Sequence, residues 1–297
     1  MAQSSAHIPF YRQMIALPGH ALDLLDGQGR EDVSRFLISQ QNADGGFRDR
    51  GGRSDLYYSL FGGLILGAKG KEPGEPLPER EAVEGRIATP DLKLKQFVAR
   101  QAASEVPGFI ERCCLVLLQK ELNAGRTSRI RSFFWLAKSF LKERYSINLS
   151  YRSFVLFLTL DAVLPFRGLL KLGAGTMLKR TTVDQHSPCS EVAARLFLLK
   201  MESRDTSAEE DLLRSFACGS GGFKAFQHLQ QADMLSTAVA LFALRFAGCD
   251  LRLLKPGCLG FIQENYSEGA FLSGDGDPTR DVEYTFYGLL ALGVLAE

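Results

Sequence analysis

The sequence predicts an all-α protein built from about six helical hairpins that repeat along the chain. Three observations carry that prediction. A helix–turn–helix unit recurs with its glycines, a phenylalanine and an aspartate in the same order. The last two clear copies are offset by 48 residues, a period typical of units that jointly bury one core. The apolar/polar alternation that marks strands is nearly absent.

The first copy, from Ser34, reads "SRFLISQQNADGGFRDRGGRSDLYYSLFGGLILG". A helical pattern with an apolar pair runs into a Gly-rich turn ending at Phe47, where glycines let the backbone reverse. A polar loop with Arg48, Arg50 and Arg53 leads to Asp55, which opens an apolar helix. Aspartate in that place is an N-cap, accepting from orphan amides and worth ~0.5–2 kcal/mol. Residues 69–90, "KGKEPGEPLPEREAVEGRIATP", are rich in Pro, Gly and charge and read as an exposed insertion. A less regular unit occupies residues 91 to 122. Two further steps of 48 residues toward the N-terminus from Phe271 and Phe223 reach "KLGAGTM" at Gly175 and "LNAGRTS". Both read as degenerate turns followed by apolar helices.

The copy from Ser220, "SGGFKAFQHLQQADMLSTAVALFAL", places Phe223 before Asp233. The last, from Glu268, "EGAFLSGDGDPTRDVEYTFYGLLALG", places Phe271 before Asp281. First and last copies keep register: Tyr58 with Tyr284, Ser59 with Thr285, Phe61 with Tyr287, Gly62 with Gly288, Gly67 with Gly293. The whole chain, 1–297, reads as one domain.

Composition is that of a soluble globular protein, 45% hydrophobic and 23% charged, with a formal net charge of +1. That balance offers no electrostatic footprint for nucleic acid or an acidic membrane surface. No apolar stretch is long enough for a membrane span. The start "MAQSSAHIPFYRQMIALPGH" lacks the basic opening and apolar core of a secretory signal. The six cysteines (113, 114, 189, 218, 249, 258) fall mostly in helical patterns, as buried thiols do. The expectation is a cytoplasmic protein.

The "QN-x-DGGF" turn and the aspartate-led helix after it resemble the repeat of protein prenyltransferase β-subunits and of squalene and terpene cyclases. The resemblance covers about residues 34 to 70 and 207 to 295. It implies an α/α toroid, an α6/α6 barrel whose inner helices, those after each aspartate, line an apolar central funnel. An isoprenoid or similar apolar molecule is the implied ligand. A helical protein partner is also implied, because the β-subunits work with one.

The zinc prenyltransferases place Asp-x-Cys at one inner-helix start and a histidine three residues after the next aspartate. Those positions here are Asp233-Met234-Leu235 and Tyr284, so the soft S and N donors that zinc needs are missing. The basic residues that grip diphosphate in the preceding loop reduce to Lys224 and His228. No zinc and no other cofactor is expected. His186 and Cys189 form an H-x-x-C without a second pair, and read as a loop histidine and a buried thiol.

The proton-initiated cyclases carry Asp-x-Asp-Asp-Thr, whose middle aspartate protonates an alkene. The matching stretch is Asp281-Val282-Glu283-Tyr284-Thr285. Glu283 is the candidate catalytic acid, and Asp281 the like-charged neighbour that would help it hold a proton. A glutamate in a first helical turn is also simply dipole-matched, and both readings stay open. Thr285 is expected to bond back into the first turn. The resembled cyclases normally use two toroid-like domains, and this chain offers one.

Arg48, Arg50 and Arg53, with Arg126, Arg129 and Arg131, have the planar forks that suit a phosphate, or form a solvated rim. Tyr58, Tyr284 and Tyr287, beside Tyr57, Phe61 and Phe286, are candidate substrate-lining aromatics able to stabilise a cation, or plain core. Three functions follow: an enzyme or carrier for an isoprenoid, a non-catalytic binding or partner module, and a metal-free hydrolase or lyase on polar substrates. The last has least support, because no carboxylate pair stands outside Asp281 and Glu283.

Overall fold

Aspartate before an apolar run starts a helix in all three clear copies. Asp55 Oδ1 accepts the amides of Tyr57 and Tyr58 at 2.7 and 3.1 Å, Asp233 that of Ser236 at 3.1 Å, and Asp281 that of Tyr284 at 2.8 Å. The computed structural model describes residues 10–68, 89–104, 106, 108–124, 132, 134–136, 138, 149–163, 175, 178–179 and 181–296.

These residues are mostly helical. In chain order the helices are α1 (Phe10–Leu24), α2 (Gly27–Gln40), α3 (Leu56–Ala68), α4 (Pro90–Ala103), α5 (Phe109–Glu121) and α6 (Leu149–Val163). Then follow α7 (Cys189–Met201), α8 (Ser207–Arg214), α9 (Met234–Ala247), α10 (Lys255–Glu264) and α11 (Val282–Ala296). Two antiparallel ladders sit in the turns, β1 (Phe47–Arg48) with β2 (Ser54–Asp55), and β3 (Tyr266–Ser267) with β4 (Ala270–Phe271). Ladders two residues long have no alternation to read in the sequence.

The apolar helices pack in succession: α3 on α5, α5 on α6, α6 on α7, α7 on α9, α9 on α11, and α11 on α3. α4 packs beside α3 and α5, α8 beside α7 and α9, and α10 beside α11. α1 belongs to no hairpin and packs on α11, α3 and α6. No helix among the described residues is long and apolar enough to cross a membrane.

One device holds each turn to its helix. The hydroxyl four residues after the aspartate receives the buried amide of the turn phenylalanine. Phe47 N donates to Ser59 Oγ at 2.9 Å, Phe223 N to Thr237 Oγ1 at 2.9 Å, and Phe271 N to Thr285 Oγ1 at 3.4 Å. The threonines pass a hydrogen bond on to the carbonyls of Asp233 and Asp281, each at 2.7 Å. Seven residues after the aspartate stand Gly62, Ala240 and Gly288. A Cβ at Gly62 or Gly288 would lie 2.6 or 2.2 Å from the ring of Phe47 or Phe271. Aspartate, hydroxyl and small residue thus share one helix face, turned to the phenylalanine.

The turn glycines Gly45, Gly221 and Gly269 have φ of +90°, +99° and +83°, which glycine adopts without penalty. A Cβ on them would meet backbone of the next companion helix: Lys93 O in α4 at 2.1 Å, Gly257 O in α10 at 2.1 Å, and Asp32 in α2 at 2.2 Å. The last turn therefore beds on the first companion helix.

Some expectations are corrected. Of the insertion over 69–90, residues 69–88 lie outside the described residues, while Thr89 and Pro90 already open α4. Proline suits that first turn, where its missing N–H has no partner to lose. Gly175 is helical rather than a turn; the link into α7 is the Asp184–Pro188 stretch, where Asp184 Oδ1 accepts the amides of His186 and Ser187 at 2.9 and 3.1 Å. The 48-residue step fails there because α7 begins only 45 residues before α9. At "LNAGRTS", Leu122 and Asn123 form the turn that ends α5; residues 125–131 lie outside the described residues, and Ser132, Phe134, Trp135, Leu136 and Lys138 beyond them are helical. Cys113, Cys114, Cys189 and Cys258 are buried, and Cys218 and Cys249 only partly so.

Candidate functional site

The residues two and six positions after each aspartate lie on the helix face opposite the turn. They are Tyr57 and Phe61 on α3, Leu235 and Val239 on α9, and Glu283 and Tyr287 on α11. Because α3 packs on α11, two of these faces meet. Tyr57 Oη donates to Glu283 Oε1 at 2.7 Å. Phe61 packs on Phe286 and Tyr287, with ring centroids 4.9 and 5.4 Å apart.

Arg50 reaches the same place from the loop between β1 and β2. Its Nε donates to Asp281 Oδ2 at 2.9 Å and its Nη1 to Asp277 Oδ2 at 3.4 Å. Its guanidinium carbon stands 5.1 Å from the Tyr284 ring centroid. Asp281 is thus helix cap and ion-pair partner at once, one oxygen for each role. Burial works against the charge of Arg50, but Asp281 and Tyr284 outweigh it and hold the guanidinium protonated.

Burial raises Glu283 above the ordinary carboxylate range, and the nearby Asp281 charge adds to the rise. The Tyr57 bond, Arg50 and the Tyr58 hydroxyl act in the opposite sense without cancelling it. Burial lifts Tyr57, Tyr151 and Tyr287 well above the usual phenol range, and pushes Tyr58 to about 12 with help from Glu283. The tyrosines around the carboxyl are neutral at ordinary pH.

Tyr57, Tyr151 and Glu283 are partly buried, each keeping some accessible surface. A carboxyl whose proton affinity is raised by burial, with a phenol donating to one oxygen and aromatic rings beside it, has the chemistry of a general acid.

Of the sequence-derived candidates, the structure brings together Asp281, Glu283, Arg50, Tyr58, Tyr284 and Tyr287. Arg48 is not among them: its Nε donates to Gln40 Oε1 at 2.9 Å, back on α2. Arg53 is exposed, its amide bonded to Asp49 Oδ1 at 2.9 Å. Arg126, Arg129 and Arg131 lie outside the described residues. His186 is exposed while Cys189 is fully buried, so the H-x-x-C pair does not converge. Among the described residues no group of three or more His, Cys, Asp or Glu could hold a metal.

Two participants escaped the sequence reading. Tyr151 sits near the start of α6, in a copy too degenerate to align with the others. Asp277 lies in the loop before α11, where nothing in the repeat marks it.

Among solved structures, the chain is similar to the type II terpene cyclase MstE from Scytonema, determined without ligand. The TM-score is 0.54 at 12% identity, over 95% of this chain and 98% of that one. No family model and no curated protein matches the sequence. At that identity the likeness concerns the fold, which is terpene-cyclase-like and helical. The two chains are nearly equal in extent, so one chain of this length suffices for the fold of a cyclase.

Proposed function

We propose that the chain closes into an α/α toroid, takes an isoprenoid or similar apolar ligand in its hollow, and protonates it with Glu283. Closure is supported by the return of α11 onto α3 and of the last turn, at Gly269, onto α2. The observation that carries the reading is the 2.7 Å bond from the Tyr57 hydroxyl to Glu283, a carboxyl whose proton affinity burial raises.

In this reading the carboxylic proton of Glu283 passes to the π electrons of a terminal alkene. A C–H bond forms, the O–H bond breaks, and positive charge is left on the more substituted carbon. Tyr57 stays hydrogen-bonded to the new carboxylate, which lowers the cost of giving up the proton. The faces of Phe61, Phe286 and Tyr287 offer the cation a ring quadrupole while intramolecular alkenes attack it. Loss of a proton ends the sequence, and Glu283 regains one from water.

A diphosphate head is not called for. Arg50 is already matched by two carboxylates, Arg48 donates back to Gln40, and Arg53 is exposed. The zinc-dependent prenylation of the resembled family lacks its ligands, whose positions hold Leu235 and Tyr284. A non-catalytic binding module, with or without a helical partner, is the second reading. It is favoured by Tyr284 standing where the resembled cyclases carry a second acid.

Glu283→Gln separates the two readings. It keeps shape but has no transferable proton, so turnover of a polyprenyl test substrate should fall by about 10²–10⁴-fold. Retained turnover rules out Glu283 as the acid. Absence of turnover in the wild type, with ligand bound, selects the binding module.

A further inference from the structure

α1 lies across the ends of the apolar helices opposite Glu283. A Cβ at Gly293, late in α11, would stand 2.1 Å from Leu17 O, and one at Gly19 would stand 3.5 Å from Ala68 O at the end of α3. Asp161 Oδ2, late in α6, accepts the amide of Tyr11 at 3.0 Å. Lys120 Nζ, late in α5, stands 4.4 Å from the Tyr11 ring. The acid, by contrast, is in the first turn of α11.

The head of α1 carries Phe10. Its ring meets those of Phe197, Phe246, Phe242 and Phe154 at 4.6, 4.8, 5.3 and 5.8 Å between centroids. α7, α9 and α6 supply these partners, so one phenylalanine from outside the hairpins fills the space between three of them. Phe154 is three residues beyond Tyr151, on the same side of α6 and about 4.5 Å further along its axis. Like Tyr151, Phe154 and Phe246 are only half-buried. A hollow that begins at the Tyr57–Glu283 pair would meet this aromatic cluster about one helical turn beyond Tyr151.

We infer that Phe10 is the floor of that hollow and sets the longest apolar chain the protein accepts. This rests on reading the hollow as an isoprenoid site. A chain entered with its reactive end at Glu283 has only the depth down to Phe10 in which to fold. Phe10 is the one member of this cluster that comes from outside the hairpins, so its ring can be shortened without altering any of the three hairpin helices it touches. Removing its ring leaves Phe154, Phe197, Phe242 and Phe246 as walls of a deeper hollow.

The experiment measures binding of geraniol, farnesol and geranylgeraniol to the full chain by thermal shift and by tryptophan fluorescence. The wild type should show a length limit. Phe10→Ala should move that limit up by one isoprene unit, strengthening binding of the first excluded alcohol by about tenfold or more. Binding of shorter alcohols should change little. Phe10→Leu, a smaller cut, should move the limit the same way by less, and serves if the alanine variant does not fold. Equal binding of all three alcohols by the wild type, or a limit unmoved in either variant, overturns the floor and leaves the isoprenoid site standing. If the wild type binds none of them, both readings fall together.

Discussion

Tyr57 and Glu283, 226 residues apart in sequence, are joined by a 2.7 Å hydrogen bond in which the phenol donates to the carboxyl. That bond favours the ionised form of Glu283, against burial, which favours the neutral one. Tyr57→Phe deletes the donor and keeps the ring. The midpoint of Glu283 should therefore move further up. Infrared difference spectra of the carboxyl stretch across a pH series would follow it. A midpoint unchanged or lowered means that the phenol does not act on the acid.

Glu283 also ties stability to pH. Its folded-state affinity for a proton exceeds that of the unfolded chain, whose glutamates titrate near 4.5. Its contribution is fully present below that value and is lost as pH rises through the raised folded midpoint. Glu283→Gln has no such dependence. Urea unfolding at several pH values should find the variant gaining on the wild type as pH rises above 4.5. A constant difference across the series would mean that Glu283 titrates normally in the fold.

Arg50 is partly exposed, so its pair with Asp281 is screened on one side. Arg50→Ala should cost about 1 kcal/mol, as exposed and half-exposed pairs do. The clearer effect is on Glu283, which loses a nearby positive charge and should bind its proton more tightly. A double-mutant cycle with Asp281→Asn measures the coupling. No coupling would show that cap and loop are independent.

Thr237→Val and Thr285→Val remove the hydroxyls that receive the amides of Phe223 and Phe271. A buried amide left unpaired costs about 1–3 kcal/mol. The Phe223 bond is 2.9 Å and the Phe271 bond 3.4 Å, so Thr237→Val should be the more destabilising of the two. Denaturant midpoints decide it. Equal or reversed losses would mean that the threonines matter for packing alone.

The repeat was legible because its parts obey local rules. Asp233 and Asp281 cap helices, and Thr285 bonds back to the Asp281 carbonyl, through contacts a few residues apart. The hidden parts are long-range. That Arg50 and not Arg48 reaches Asp281 depends on how one loop hangs over a helix 231 residues away. Tyr151 could not be found because the copies around α6 and α7 have lost the glycine–phenylalanine turn that sets register. α1 has no counterpart in the repeat, so nothing in the period announces it.

The bedding of the last turn on α2 has a consequence for how the protein is made. The carbonyl side of Asp32 waits for Gly269, and Tyr57 waits for Glu283, 226 residues further on. At about 5–20 residues per second, those 226 residues take some ten to forty-five seconds to synthesise. For that interval α2 and α3 are exposed on the faces that α11 and its turn will cover. The nascent first hairpin is then a natural client for holding chaperones, and a ribosome that stalls before residue 268 releases a product with an apolar edge and nothing to cover it.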